Sequence, residues 1–143
     1  MKARYTIAHK PDADAAEILA MDAACFPADT RIAVAGSLWW VVRHRGRPVG
    51  YGGLHVCQDP DNAGLGFLCR VGVLDKHRGH GLQSRLIRAR ETAARRLGLR
   101  WLVTYCVPWN EPSVNSLIKC GYRLYRPASR WGGGGAVYLR KKL

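Results

Sequence analysis

The residues best suited to chemistry lie in one segment, residues 71–85, where an apolar strand meets a glycine-containing turn and then a helix. Gly79 and Gly81 let the backbone come close to a ligand in conformations that other residues avoid. The first turn of the helix presents unpaired N–H groups and the positive end of the helix dipole. Basic side chains crowd this end and oppose the dipole unless an anion offsets them: Lys76, Arg78, Arg85 and Arg88. The segment therefore predicts a binding site for a polyanion such as a pyrophosphate.

The spacing of these residues excludes the two common nucleotide-binding loops. No G-x-x-x-x-G-K-[ST] sequence is present, the G-x-G-x-x-G spacing fails, and no acidic residue closes a following strand. Two glycines in a basic protein also fit an ordinary turn. The loop alone therefore does not decide between a binding site and a plain connection.

The elements around the loop predict one domain over residues 1–143, with the order β-α-α-β-β-β-α-β-α-β-β. A mixed sheet with helices on it, an α/β or α+β three-layer domain, follows from that order. Residues 65–74 are apolar on both faces in places, which favours a central strand. The predicted strands span 5–9, 38–43, 48–57, 65–74, 100–106, 122–126 and 136–140; the helices run through Ile18 towards Phe26, then span 29–35, 82–97 and 112–120.

Composition narrows the class of protein. The formal net charge is +13. Such a charge can attract polyanionic partners or simply aid solubility, and charge alone favours neither interpretation over the other. Five cysteines without a C-x-x-C pair argue against a disulfide framework or a zinc knuckle, so no metal site is predicted. No apolar run approaches the ~20 residues of a membrane span, and the first ten residues are too polar for a signal peptide. We expect a cytoplasmic protein that does not engage a membrane.

Two spaced motifs give the chain a family resemblance. Residues 73–83 resemble the acyl-CoA signature Q/R-x-x-G-x-G/A of the GCN5-related N-acetyltransferase (GNAT) family, with Arg78 first, Gly81 central and Gln83 where Gly or Ala is usual. Residues 110–122 resemble the segment N-x-x-A/S-x-x-x-Y-x-x-x-G-F of that family through Asn110, Ser113, Gly121 and Tyr122. With the order of elements, the resemblance covers nearly the whole chain.

The resemblance implies a mainly antiparallel sheet with a central V-shaped splay that holds acetyl-CoA as co-substrate. The cofactor would lie between the strand ending at Val73 and the strand ending at Cys106. Backbone groups of Val71 and Val73 would pair with the pantetheine arm, and one N–H would polarise the thioester carbonyl. The implied cofactor residues are Val71, Val73, Arg78, Gly79, His80, Gly81, Leu82, Gln83, Ser84, Asn110 and Ser113.

The implied reaction is direct attack of an amine on the thioester, and its acid and base are not evident. Leu117 stands where the family usually has a tyrosine, and the central strands carry no carboxylate. The carboxylates expected nearest the cleft are Asp22, Asp29 and Glu111, and the candidate catalytic hydroxyls are Tyr105 and Tyr122, with core packing as the favoured alternative for both. An α-amino acceptor, with a pKa of about 7.7–8.0, would need little help.

Three functions remain open from the sequence. The first is an N-acetyltransferase acting on the amine of a small molecule or a protein. The second is an enzyme that acetylates aminoacyl-tRNA, which the charge favours, although nucleic acid is the less favoured partner because no RNA-reading aromatic motif is evident. The third is a non-catalytic acyl-CoA sensor or interaction module. A homodimer is a further expectation, and Trp109 and Trp131 are candidates to line the acceptor site, with packing favoured.

Overall fold

The computed structural model describes residues 4–10 and 15–143. Over these residues the chain forms one seven-stranded sheet, in the order β1-β2-β3-β4-β5-β7-β6, with three α-helices. The strands are β1 (Tyr5–Lys10), β2 (Leu38–His44), β3 (Arg47–Val56), β4 (Leu65–Val73), β5 (Trp101–Cys106), β6 (Arg123–Tyr125) and β7 (Val137–Lys142); the helices are α1 (Ala15–Cys25), α2 (Leu82–Arg96) and α3 (Glu111–Lys119). All seven predicted strands are present, and β4 is central as predicted. No helix within the described ranges is long and apolar enough to cross a membrane.

The helix predicted over residues 29–35 is wrong, because these residues form turns and irregular backbone. The guanidinium of Arg31 donates to the backbone carbonyls of Phe26 and Asp29, and the indole N–H of Trp39 donates to the carbonyl of Val34 at 2.9 Å. The Asp29 carbonyl, which a helix over 29–35 would pair with a backbone N–H group, thus accepts from a side chain instead.

The neighbouring strands β4 and β5 pair at one end only and separate at the other. Every pair of neighbouring strands is antiparallel except β4 and β5, which are parallel and pair only over residues 65–67 and 101–103. Just beyond, the Thr104 hydroxyl donates to the Leu68 carbonyl at 3.1 Å. The two strands then run on without pairing, which is the V-shaped splay that was predicted.

A β-bulge in β4 changes the direction of its side chains beside the splay. Gly52 pairs with Val71 and Leu54 with Leu68, so a single β3 residue faces two residues of β4. Before the bulge Leu68 belongs to the core under α2, and after it Val71 packs against that same core. Arg70, inside the bulge, turns to the other face, where it meets Phe26 and the carboxylate of Asp22. Bulges of this kind commonly re-aim a side chain at a functional site.

Two apolar layers cover the sheet. The larger one, between the sheet and helices α2 and α3, contains Leu54, Leu86, Ile87, Leu102 and Leu139. The smaller one packs α1 against the opposite face through Ile18, Met21, Trp39, Val41 and Tyr51. This arrangement confirms the predicted three-layer α/β architecture.

A buried arginine of α2 holds the bulge. Arg90 is 1% exposed, and its Nη1 donates to the carbonyls of Gly53 at 3.0 Å and Cys69 at 3.3 Å. Its Nε donates to the carbonyl of Leu86 on its own helix at 3.1 Å. Burial lowers the pKa of Arg90 to about 10, so the guanidinium still carries its charge at neutral pH. Arg90 therefore supplies the donors that the irregular strand cannot obtain from a neighbouring strand.

We expect Arg90→Met to destabilise the fold by about 2 kcal/mol, because two strand carbonyls lose their donor while removal of a buried charge offsets part of the loss. Urea unfolding would measure this change. Arg88→Met is the matched control, because Arg88 is exposed on the same helix and its replacement should change stability by less than about 0.5 kcal/mol. Equal stability of the two variants would contradict the role assigned to Arg90.

Candidate active site

A cleft passes through the sheet where β4 and β5 part. Its central cavity, of about 240 Å³, is bounded on one face by groups of α2 and α3 and on the other by the segment after α1. The side of α2 and α3 contributes Gln83, Ile87, Arg90, Asn110, Ser113 and Leu117, and the opposite face contributes Phe26, Asp29, Phe67 and Tyr105. Groups that reach the cleft from the two faces can therefore meet inside it.

A second cavity, of about 310 Å³, adjoins the cleft at the beginning of α2. The two cavities share Phe26, Val71, Gln83, Asn110 and Ser113, so they adjoin at these residues and are together called the channel. Ten of the residues predicted to bind the cofactor line the second cavity: Val71, Val73, Arg78, Gly79, Gly81, Leu82, Gln83, Ser84, Asn110 and Ser113. His80 lies outside this lining, where its ring is 5.3 Å from that of Tyr5. The structure thus brings together residues from three separate stretches of the sequence.

The first turn of α2 begins at a glycine and has no side-chain cap. Gly81 precedes the helix with φ 72°, a left-handed conformation that favours glycine, and no side chain caps the helix there. The first turn contains no acidic residue. The N–H groups that follow Gly81 therefore point towards the cavity without a competing carboxylate. Arg78 folds back on the loop, donating to the carbonyl of Val73 at 3.2 Å and pairing with Asp75 at 3.1 Å.

The edge of β4 offers backbone donors along the channel. The N–H of Leu74 donates to the carbonyl of Val49 on β3 at 2.9 Å. Successive N–H groups of a regular strand point in opposite directions. Since residues 71–73 keep regular pairing with β3, the N–H groups of Val71 and Val73 point away from β3, into the splay. No β5 residue pairs with them there.

Gln83 and Ser113 form the junction between the two cavities. The Gln83 amide donates to the Ser113 hydroxyl at 2.7 Å and so links the beginning of α2 to the beginning of α3. Asn110 caps α3 by accepting from the backbone N–H of Ser113 at 3.4 Å. The side chain that replaces the usual Gly or Ala of the signature is thus held by a partner across the channel.

The two tyrosines proposed for catalysis lie in different environments. Tyr105 lines the cleft and is 39% exposed, with its ring stacked 5.9 Å from that of Phe67. Tyr122 is 1% exposed in the core beneath α2 and α3, and burial raises the pKa of its hydroxyl above the ordinary value. Leu117 faces the cleft, so no hydroxyl is present at the position of the family tyrosine.

The three candidate carboxylates lie in three different environments. Asp22 is fully buried, where it accepts from the Tyr51 hydroxyl and pairs with Arg31 at 3.1 Å and Arg70 at 3.4 Å. Asp29 lines the cleft, with its side chain 52% exposed and Arg70 at 3.0 Å. Glu111 lies in the first turn of α3 and lines neither cavity.

Two thiols also line the cleft, Cys69 and Cys106. Burial raises the pKa of both above the ordinary value. Both groups therefore remain thiols at neutral pH, and neither has the environment of a reactive thiolate.

Comparison with known proteins agrees with this geometry. The sequence model of the Acetyltransferase (GNAT) family matches residues 5–122. A search of curated protein sequences finds no significant match. Among solved structures, a protein from Klebsiella pneumoniae subsp. pneumoniae MGH 78578, provisionally assigned as an acyl-CoA N-acyltransferase, is 25% identical with a TM-score of 0.77, covering 99% of each chain.

Two further structures share the fold at lower identity. An acetyltransferase from Bacillus subtilis, solved in complex with CoA, is 12% identical with a TM-score of 0.76 and covers 98% of this chain and 99% of its own. The ribosomal-protein-S18-alanine N-acetyltransferase from Escherichia coli is 11% identical with a TM-score of 0.76, covering 97% of this chain and 94% of its own. With a family match over most of its length, an opened central sheet and a glycine turn leading into α2, the chain belongs to the GNAT acetyltransferase family.

Proposed function

We propose that this N-acetyltransferase binds acetyl-CoA along the channel between α2 and β4 and transfers the acetyl group to an amine that enters from the face of α1. The observation that carries the proposal is the channel that the two adjoining cavities make up. It begins at the uncapped first turn of α2 and ends in a cleft open to both faces of the sheet.

The first turn of α2 would hold the pyrophosphate of the cofactor through the N–H groups after Gly81. An anion there gains from both the unpaired donors and the helix dipole. The side chains of Arg78 and Ser84 also line this cavity. The pantetheine arm would pass Gln83, Ser113 and Asn110, which lie where the two cavities meet.

The edge of β4 would position the thioester. The N–H groups of Val71 and Val73 face the splay, and one of them would donate to the thioester carbonyl as negative charge develops on its oxygen. A fixed donor in a partly enclosed site stabilises the transition state without reorganisation at the moment of reaction.

Asp29 is the carboxylate best placed to receive the proton of the attacking amine. An alkyl amine has an unperturbed pKa of about 10.4, so its deprotonation at neutral pH benefits from a nearby base. Asp29 lines the cleft, whereas Asp22 is buried among its partners and Glu111 lies outside. Of the two candidate tyrosines, Tyr105 is favoured because it lines the cleft. The leaving group is a thiolate, a class whose cysteine representative has a pKa of about 8.5, and it can depart without a strong acid.

A non-catalytic acyl-CoA sensor is the alternative favoured by one observation, the apolar Leu117 in the cleft. Such a protein would bind acetyl-CoA but would not convert it to free CoA when an amine is added. We place the enzyme in the cytoplasm, where the five free cysteines would stay reduced.

Acetyl-CoA should raise the melting temperature of the protein. A ligand at about 100 times its dissociation constant contributes about 2.7 kcal/mol, which is several degrees for a chain of this size. Gly81→Trp should abolish the shift because the new side chain fills the approach to the first turn of α2. Thermal unfolding with acetyl-CoA, CoA, ATP or no ligand would test this.

Gly98→Trp is the matched control for strain at a glycine of positive φ. Gly98 follows the other end of α2 with φ 76°, and an added Cβ meets nothing within 4 Å at either glycine. The control should keep the shift even if its own melting temperature falls. No shift with either CoA species in the folded wild-type protein would contradict the proposed cofactor site.

Asp29→Asn should lower kcat/KM for the amine by about 100-fold, within the range of general-base contributions, and leave stabilisation by acetyl-CoA intact. Release of CoA thiol at saturating acetyl-CoA would measure the effect. Asp61→Asn is the control and should retain activity, because Asp61 is exposed in the connection between β3 and β4. Full activity in Asp29→Asn would remove Asp29 from the mechanism.

A further inference from the structure

An aromatic pocket of about 590 Å³ lies on the face of the sheet opposite α2. Its walls are the rings of Phe67, Tyr105, Tyr125 and Trp131, with Pro127 beside them. Trp131 and Pro127 belong to the segment between β6 and β7, which folds over β4 and β5 at this point. The pocket is thus formed by the centre of the sheet and one long connection.

The aromatic walls support one another. The ring of Trp131 meets those of Phe67 and Tyr105 edge-on, both at 5.2 Å, and lies 5.3 Å from that of Tyr138. The backbone of Gly132 lies against the face of Tyr105, so closely that an added Cβ would sit 2.5 Å from the ring. Such contacts restrict the ring positions, and a preformed pocket pays less ordering entropy when a ligand binds.

The pocket carries no formally charged side chain in a strongly charged protein. Charged residues make up 23% of the chain, yet none of the twelve residues that line the pocket is Asp, Glu, Lys or Arg. Its polar groups are neutral or weakly basic: His55, Cys57, Asn62 and Ser129, besides the hydroxyls of Tyr105 and Tyr125. A polyamine would lose hydration there without meeting a carboxylate, and an acidic ligand would meet no arginine or lysine. The lining fits a flat, uncharged group.

The pocket adjoins the cleft. Phe67 and Tyr105 line both spaces, and the cleft also contains Asp29. A ligand with its flat group in the pocket that Phe67 and Trp131 border could therefore extend an amine past Tyr105 into the cleft. It would approach from the face opposite the helix that holds the cofactor loop.

We propose that the acceptor is an arylalkylamine, whose aromatic ring occupies the aromatic pocket and whose primary amine reaches the cleft. This proposal rests on the function proposed above and names its substrate class. The amine nitrogen forms a bond to the acetyl carbon and the carbon–sulfur bond breaks. The electron pair of that bond leaves on the CoA sulfur, and the proton of the amine passes to Asp29 or to water. The products are an N-acetylarylalkylamine and CoA.

The first test compares tryptamine, n-hexylamine and spermidine as acceptors, with acetyl-CoA saturating. Tryptamine should give a kcat/KM at least about tenfold above either of the others, because only its ring fills the pocket. Trp131→Ala should raise the KM for tryptamine by about tenfold while leaving the KM for acetyl-CoA unchanged. Trp109→Ala is the matched control, because Trp109 is 80% exposed and lies outside the pocket.

A second pair of variants tests the pocket without removing a ring. Gly132→Ala should displace Tyr105 and raise the KM for tryptamine. Gly134→Ala should not, because a Cβ at Gly134 meets nothing within 4 Å and its φ is not positive. Binding of tryptamine to the CoA-loaded protein, measured by calorimetry, gives a readout that does not depend on turnover.

The outcomes separate this inference from the proposed function. Release of CoA with spermidine or hexylamine at least as fast as with tryptamine would overturn the arylalkylamine assignment and leave the acetyltransferase intact. Trp131-dependent binding of tryptamine without any release of CoA would support the pocket and contradict the proposed transfer. Equal tryptamine KM values in Trp131→Ala and the wild-type protein would also overturn the assignment.

Discussion

The short parallel pairing of β4 with β5 is the constraint on which the rest of the structure depends. Three residues of each strand pair, the Thr104 hydroxyl bridges to Leu68, and the strands then separate. Separation leaves a row of backbone groups on β4 without strand partners inside the protein. Unpaired groups are costly when buried, so the gap must hold water or a ligand with its own polar groups. A channel beside β4 is a direct consequence of the broken pairing.

The bulge in β4 determines which side chains of this strand face each side of the cleft. It turns Arg70 towards α1, where Asp22, Asp29 and Phe26 surround the guanidinium. It also returns Val71 to the face of α2. The side of the channel next to the first turn of α2 is consequently apolar along the strand and rich in N–H donors. The opposite mouth combines one carboxylate with aromatic rings. A single added residue in one strand thus divides the cleft into two chemically different ends.

Local signals explain why much of this could be predicted from sequence. The beginning of α2 is marked by Gly81 and the beginning of α3 by Asn110, and both depend on neighbouring residues alone. β4 was predictable because a strand buried on both faces needs apolar residues throughout. The two motifs contain eight of the ten predicted residues that line one cavity.

Long-range contacts explain what could not be predicted. Arg90 falls at a core position of the helical pattern, but its partners, Gly53 and Cys69, lie on strands far away in the sequence. The segment after α1 has polar and small residues compatible with a helix, but hydrogen bonds from the side chains of Arg31 and Trp39 hold it in an irregular conformation. The exposed fractions of Tyr105 and Tyr122 depend on which side of the sheet each meets. No spacing rule separates the two tyrosines.

The hydrogen bond between Gln83 and Ser113 has a mechanical consequence. It joins the first turns of two helices where the two cavities meet. A molecule in the channel can exchange that bond for contacts of its own with each helix. The width of the passage between the two cavities therefore depends on the rotamers of two side chains, and it can increase without any movement of the backbone.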